Sequence, residues 1–402
     1  MRSAAAGLRP RLVLTALVAI VVAAALALTA TNGWPSPGGG ATGAGSGQQP
    51  SATDPGDAGD AGDPSDAAKT FLDTYVVDDG RVVRRDQGSD TVSEGQAYGM
   101  LLAVSSRDEA RFDRIWSWTT THLRRPDGLL SWTWANGEIQ DQNSASDGDL
   151  DAAHALVSAG RVFERRDLTA AGVALGKAVL DRETVATALG RVLVAGQWAT
   201  VAPQRVNPSY SSPLAYQALA DASGDARWQQ VADGDRRLIN ALLTRSPLPP
   251  DWAQVSESGS VTAMPPPGGG AVAFGLDAQR VAVRYAASCA DEDHRLAARL
   301  SPPLPTSADA VRGVYDLGGS AQVSWQQPLA MVASAAAAQA DGRAPSATTL
   351  LEAASALDAR GSTYYGAAWR PLGRCCWVTA ARWASAAQDH SDHSAEVNTG
   401  PK

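Results

Sequence analysis

Asn143-Ser144-Ala145-Ser146-Asp147-Gly148-Asp149-Leu150-Asp151-Ala152-Ala153-His154-Ala155-Leu156 sets three carboxylates at alternate positions against the start of an apolar periodic segment. Leu150, Ala153, Val157 and Gly160 share one face at helical spacing, and Ser146 three residues before Asp149 has the form of a capping signal. The stretch reads as a helix that opens on an acidic first turn. Acids suit that position because unpaired backbone N–H groups stabilise negative charge there, so dipole complementarity competes with a functional reading. A calcium loop fails. With Asp147, Asp149 and Asp151 as its first three ligands, Ala152 stands where the loop needs glycine and Ser158 where it needs glutamate.

The helical period continues outward in both directions. The segments Ala67–Val76, Ser93–Ser106, Glu109–Leu123, Asp147–Arg165, Leu168–Val194, Ser212–Ala222, Trp228–Leu243, Gly275–Ala287, Gln326–Ala340, Ser346–Leu357 and Tyr364–Ala386 all read as helices. Gly, Pro, Asn and Asp mark the connections, as in Arg125-Pro126-Asp127-Gly128 and Asn207-Pro208. Many helices without a heptad or a short fixed repeat point to an all-α fold, a closed array of helical hairpins whose N-termini gather at one end.

Two further acids stand at such starts. In Thr91-Val92-Ser93-Glu94-Gly95-Gln96-Ala97-Tyr98-Gly99-Met100, Ser93 and Gln96 have capping-box spacing and put Glu94 at the first helical position. In Phe274-Gly275-Leu276-Asp277-Ala278-Gln279-Arg280, Asp277 and Arg280 are three apart and can pair across one helical turn. Either could be an ordinary surface charge. Trp outnumbers Phe by twelve to four, which favours flat faces with polar handles beside the carboxylates, suited to sugar rings. Trp132, Trp134, Tyr210, Tyr364 and Tyr365 are the candidates, whereas Trp116, Trp325 and Trp369 are expected in the core.

The 402 residues are 44% hydrophobic and 19% charged, with room for one large domain. Arg2, Arg9 and Arg11 precede a nearly unbroken apolar run from Leu12 to Ala30. Residues 1–31 fit both a cleaved signal peptide, with Ala25-Leu26-Ala27 as cleavage site, and an uncleaved membrane anchor; either places the body outside the cytoplasm. Residues 32–65, mostly Gly, Ser, Pro, Ala and Asp, form a flexible linker. The folded domain is expected over 66–388, followed by a tail over 389–402. The net charge of −8 argues against nucleic acid as partner. In an oxidising compartment Cys289 could bridge to Cys375 or Cys376, or all three could stay unpaired.

The segments Thr91–Met100, Ser144–Ala153, Asn207-Pro208-Ser209-Tyr210, Pro250-Asp251-Trp252, Asp277-Ala278-Gln279-Arg280 and Tyr364-Tyr365-Gly366 resemble, in order and spacing, those of glycoside hydrolase family 8. The resemblance spans Ala67 to Arg382. It implies an (α/α)6 barrel of six inner and six outer helices, and an inverting endo-acting hydrolase of β-1,4-linked polysaccharide. Cellulose or mixed-linkage glucan would be the substrate, with xylan and chitosan as alternatives, and the enzyme would work as a monomer without metal or cofactor. By motif, Glu94 resembles the general acid, Asp277 the general base and Asp147 the carboxylate that holds the distorted sugar. Arg280 and Tyr210 would be its partners, and Trp132 with Tyr364 or Tyr365 the aromatic platforms. Leu276 stands where the family usually has an aromatic before the base, and Val281-Ala282-Val283 follows Arg280 where it usually has Pro-Trp, which removes a sugar-stacking surface.

Overall fold

The computed structural model describes residues 64–373. The expected leader, most of the linker, the tail, Cys375 and Cys376 lie outside them. The chain divides into two compact units, one of Asp60–Met264 with Val272–Lys402, the other of Met1–Gly59 with Pro265–Ala271. Of the second, Pro265–Ala271 is described, a loop in which Gly269 N donates to Pro266 O at 2.8 Å.

Twelve α-helices order the described residues of the first unit. Odd and even members differ in what they bury. Helices α1 (Pro64–Tyr75), α3 (Glu109–His122), α5 (Arg166–Arg182), α7 (Arg227–Leu243), α9 (Asp291–Arg299) and α11 (Ala344–Arg360) bury one stripe each; on α7 it comprises Val231, Leu238, Ile239 and Leu242. Helices α2 (Ser93–Ser105), α4 (Ser146–Val162), α6 (Pro213–Ser223), α8 (Gln279–Ala286), α10 (Pro328–Ala340) and α12 (364–373 as described) form the inner set. On α10 every residue from Pro328 to Ala338 is buried, and its alanines permit close neighbours on all sides. Gly172 of α5 shows the same need for closeness, since a Cβ there would stand 2.7 Å from Val157 Cγ1 and 2.9 Å from Ala153 O of α4.

Consecutive inner helices touch in the order α2, α4, α6, α8, α10. Helix α12 closes the ring. Its Trp369 Nε1 donates to Tyr98 Oη of α2 at 3.1 Å, while a Cβ at Gly373 would meet Val332 of α10. The architecture is the (α/α)6 barrel.

Short antiparallel strands connect the helices: β1 (Thr91–Val92), β2 (Thr133–Ala135) and β3 (Glu138–Asp141) in one sheet, β4 (Thr184–Thr187) with β5 (Gly190–Leu193), and β6 (Gln204–Val206), β7 (Trp252–Val255) and β8 (Val261–Met264) in a third. Strand β1 runs directly into α2 and pairs Thr91 with Trp134 and Val92 with Thr133.

Several local expectations fail. The helix expected over Leu168–Val194 ends at Arg182; Thr184, Val185 and Thr187 favour extended backbone, and Gly190 turns the hairpin at φ 107°. Helix α9 was not expected. Helix α8 starts at Gln279, because the Asp251 carboxylate takes the N–H groups of Gly275 and Ala278 and holds that stretch in a turn. Neither expected capping box forms. The Gln96 side chain instead bridges Val82 N and Thr119 Oγ1, and Ser146 Oγ donates to Val194 O. Among the described residues no helix is long and apolar enough to cross a membrane.

Candidate active site

The three alternating acids of α4 separate by helical geometry. Asp151, one turn in, accepts both Arg284 nitrogens, at 2.8 and 2.6 Å. Asp149 turns toward the segment before β2 and accepts Leu130 N at 2.8 Å. Burial, then the charge of Glu183, holds its carboxyl well above the usual range. Glu183, pushed up by burial to about 8, accepts Ser144 Oγ at 2.6 Å and fixes the approach to α4. Asp147 alone faces the centre of the ring.

It meets Glu94 there because Gly148 lacks a side chain. A Cβ on Gly148 would lie 2.3 Å from Ser93 Oγ and 2.8 Å from Glu94 N, so glycine lets the starts of α2 and α4 touch. Between them stands Arg280 of α8, 1% exposed. Its Nη1 donates to Glu94 Oε1, to Asp147 Oδ2 at 3.0 Å and to Tyr98 Oη at 3.0 Å; its Nη2 donates to Asp277 Oδ1 at 3.1 Å. Three carboxylates from three separate elements therefore share one buried guanidinium.

Each acid is held differently. Tyr98 Oη donates to the same Glu94 oxygen that Arg280 holds, leaving Oε2 free of both. Burial first, and the Glu94 charge second, keep that phenol protonated far into alkali. Asp147 is 2% exposed. Burial, then the charge of Glu94, pushes its carboxyl up to about 7 against the pull of Arg280. Asp277 precedes α8 and has both oxygens engaged, Oδ1 by Arg280 and Oδ2 by Asn207 Nδ2 at 2.8 Å. Its side chain is still 34% exposed, so water reaches it.

The aromatic candidates divide. Tyr210 lies in the 3-10 turn Pro208–Tyr210 with its ring 5.3 Å from the Arg280 guanidinium carbon. Beyond it, Trp252 is 6.2 Å from Tyr210 and Trp198 is 6.5 Å from Trp252, centroid to centroid. Tyr365 sits 6.5 Å from Tyr98, within reach of the charges of Arg280, Glu94, Asp277 and Asp147. Tyr364 is fully buried between Phe71 and Tyr75, so its ring cannot receive a sugar. Half-buried Trp132 is tied by its backbone to Ser93 and Asn143, at the openings of α2 and α4. Trp325, expected in the core, is 37% exposed.

Tyr98, Asn207 and Asp251, which the motif reading leaves without a role, position the acids: Tyr98 binds Glu94, Asn207 binds Asp277, and Asp251 holds the turn that carries Asp277. Burial and the Asp277 charge push Asp251 up to about 7.

The sequence matches the glycosyl hydrolases family 8 description over residues 59–376. The chain belongs to family 8. An endo-β-1,4-glucanase of Acetobacter xylinum superposes with a TM-score of 0.65 at 27% identity, covering 79% of this chain and 98% of that one. A β-1,3-1,4-glucanase of Paenibacillus sp. X4 shares the fold, with a TM-score of 0.69 at 20% identity over 79% of this chain and 91% of that one. A probable endoglucanase of Novacetimonas hansenii is 37% identical over 196 residues, 47% of this chain and 57% of that protein. The chain spans little more than half the length of the curated relatives it matches. Family 8 membership thus rests on the full helical ring as well as on the motifs around Arg280.

Proposed function

We propose that the protein is an inverting endo-acting glycoside hydrolase cleaving β-1,4 linkages, with cellulose or mixed-linkage β-glucan as substrate. The observation that carries this is the convergence of Glu94, Asp147 and Asp277 on Arg280 where the inner helix starts meet. Single displacement needs an acid at the glycosidic oxygen and a base for the attacking water, with carboxyl groups roughly 6.5–9.5 Å apart. Glu94 and Asp277 bind different nitrogens of Arg280, so the width of the guanidinium separates them.

Glu94, with Oε2 unclaimed by Arg280 and Tyr98, is the acid. Asp277, oriented through both oxygens and open to water, is the base. Three carboxylates against one guanidinium leave negative charge in excess, and burial with the charge of Glu94 raises the proton affinity of Asp147. Asp147, enclosed beside Tyr210, grips the sugar at the cleavage point. The names of the relatives support glucan over xylan or chitosan. The arginines and apolar run at the amino end support export, either released or tethered.

Glu94→Gln tests the assignment. It should lower turnover of soluble β-glucan about 10²–10⁴-fold while oligosaccharide binding persists. Retained turnover removes Glu94 as the acid. A wild-type protein that binds glucan and releases no reducing ends is a glycan-binding protein, and unsaturated product ends identify a lyase.

A further inference from the structure

Trp325 lies outside the machinery so far described, yet it is built as a platform. A Cβ at Gly313 would stand 1.7 Å from its Cζ3 and 2.3 Å from Cε3 and Cη2. The six-membered ring therefore rests directly on the Gly313 backbone. Gly313 has no left-handed φ, so glycine is needed there for room and not for a turn. One face of the indole is packed on backbone, and the residue keeps 37% of its surface in solvent.

The backbone beneath the ring is tied to the turn of Asp277. Gly313 N donates to Trp325 O at 3.0 Å, and Gln326 Nε2 donates to Ala308 O and Val311 O at 2.7 and 3.2 Å, which pins the backbone beneath it. Gln279, two residues after Asp277, donates through Nε2 to Gly313 O at 2.8 Å. Phe274 and Tyr315 exchange both backbone hydrogen bonds as an antiparallel pair, at 2.9 and 3.1 Å. The segment beneath the indole is thus bonded to both flanks of the turn that carries Asp277, to Phe274 before it and to Gln279 after it. Leu276 offers no flat face there, and Trp325 does.

We infer that Trp325 is a sugar-stacking platform which binds a pyranose ring of the β-1,4-linked chain next to the cleavage point, on the side walled by Asp277. The inference rests on the hydrolase reading for its ligand. A rigid indole supported from behind meets the apolar face of a pyranose without ordering a flexible side chain, which favours Trp at such a position.

Binding of cello-oligosaccharides to Glu94→Gln is measured by titration calorimetry, with and without Trp325→Ala, alongside Trp325→Phe and melting curves for each variant. Trp325→Ala should weaken binding of the longer oligosaccharides roughly tenfold, with Phe restoring most of it. In the active protein the same change should raise KM with little change in kcat, and shift the bond cut in end-labelled oligosaccharides. Unchanged affinity and cleavage position overturn the platform. So does equal loss in the Phe variant, or a covering segment of this chain that shields Trp325 from acrylamide quenching. A wild-type protein that releases no reducing ends sinks the hydrolase reading, while the affinity comparison still decides the platform.

Discussion

Helix α8 carries two buried arginines one turn apart, Arg280 and Arg284, and the protein treats them oppositely. Arg284 meets a single carboxylate, Asp151, through two nitrogens in a fork, with its guanidinium carbon 5.4 Å from the Trp369 ring centroid. Charge and geometry balance. Arg280 meets Glu94, Asp147 and Asp277 at once, and its Nη1 is divided between two carboxylates and a phenol. Negative charge is in excess, and burial of Asp147 turns the excess into an affinity for a proton near neutrality. The same residue type on one helix is a structural pair when its partners match it and a reactive centre when they outnumber it.

The comparison breaks most sharply at Asp151. Asp151→Ala leaves Arg284 charged and 7% exposed without its only carboxylate partner among the described residues, and should cost about 3–5 kcal/mol of unfolding free energy by urea titration. Asp147→Asn leaves Arg280 two carboxylates and removes one charge from the excess. Its stability should stay within about 1 kcal/mol of wild type, while turnover falls about 10²–10³-fold. Equal destabilisation by the two changes would show that Arg280 depends on Asp147 as a structural pair, and the distinction between the arginines would collapse.

The acid-bearing motifs and the inner helices were legible because their signals are local: an apolar period and carboxylates at helix starts. Asp149 and Asp151 were indistinguishable from Asp147 in the alternation. Only the 100° step of the helix sends one to Leu130, one to Arg284 and one to Arg280. The parts played by Tyr98, Asn207 and Asp251 rest on contacts between residues far apart in sequence, which no local spacing encodes. The β4–β5 hairpin did carry a signal, in the β-branched residues of Thr184-Val185-Ala186-Thr187 and in Gly190, but the helical run ending at Arg182 masked it. Tyr364 and Tyr365 are adjacent and look alike, yet one packs with Phe71 and the other against Tyr98. Trp325 was misassigned because composition says nothing about which face of an indole a glycine supports.

Asp235 sharpens the comparison at the other limit, a buried acid with no arginine partner among the described residues. On α7 it is 4% exposed and accepts Leu193 N at 3.0 Å and Tyr216 Oη at 2.6 Å. Burial pushes its carboxyl up to about 7 against those hydrogen bonds. The folded protein therefore binds a proton at Asp235 that the unfolded chain, titrating near 4, has already lost. The stabilising contribution is fully present below about pH 4 and is lost as pH rises through about 7. One proton is worth about 1.4 kcal/mol per pH unit, so Asp235 should account for about 1 kcal/mol of the stability lost between pH 6 and pH 7. Asp235→Asn, which keeps a carbonyl acceptor and cannot ionise, should make that decline shallower by this amount in urea titrations at the two pH values. Parallel declines in wild type and variant would mean that hydrogen bonds alone hold Asp235 ionised, and that a buried acid in this barrel needs no counter-charge to stay charged.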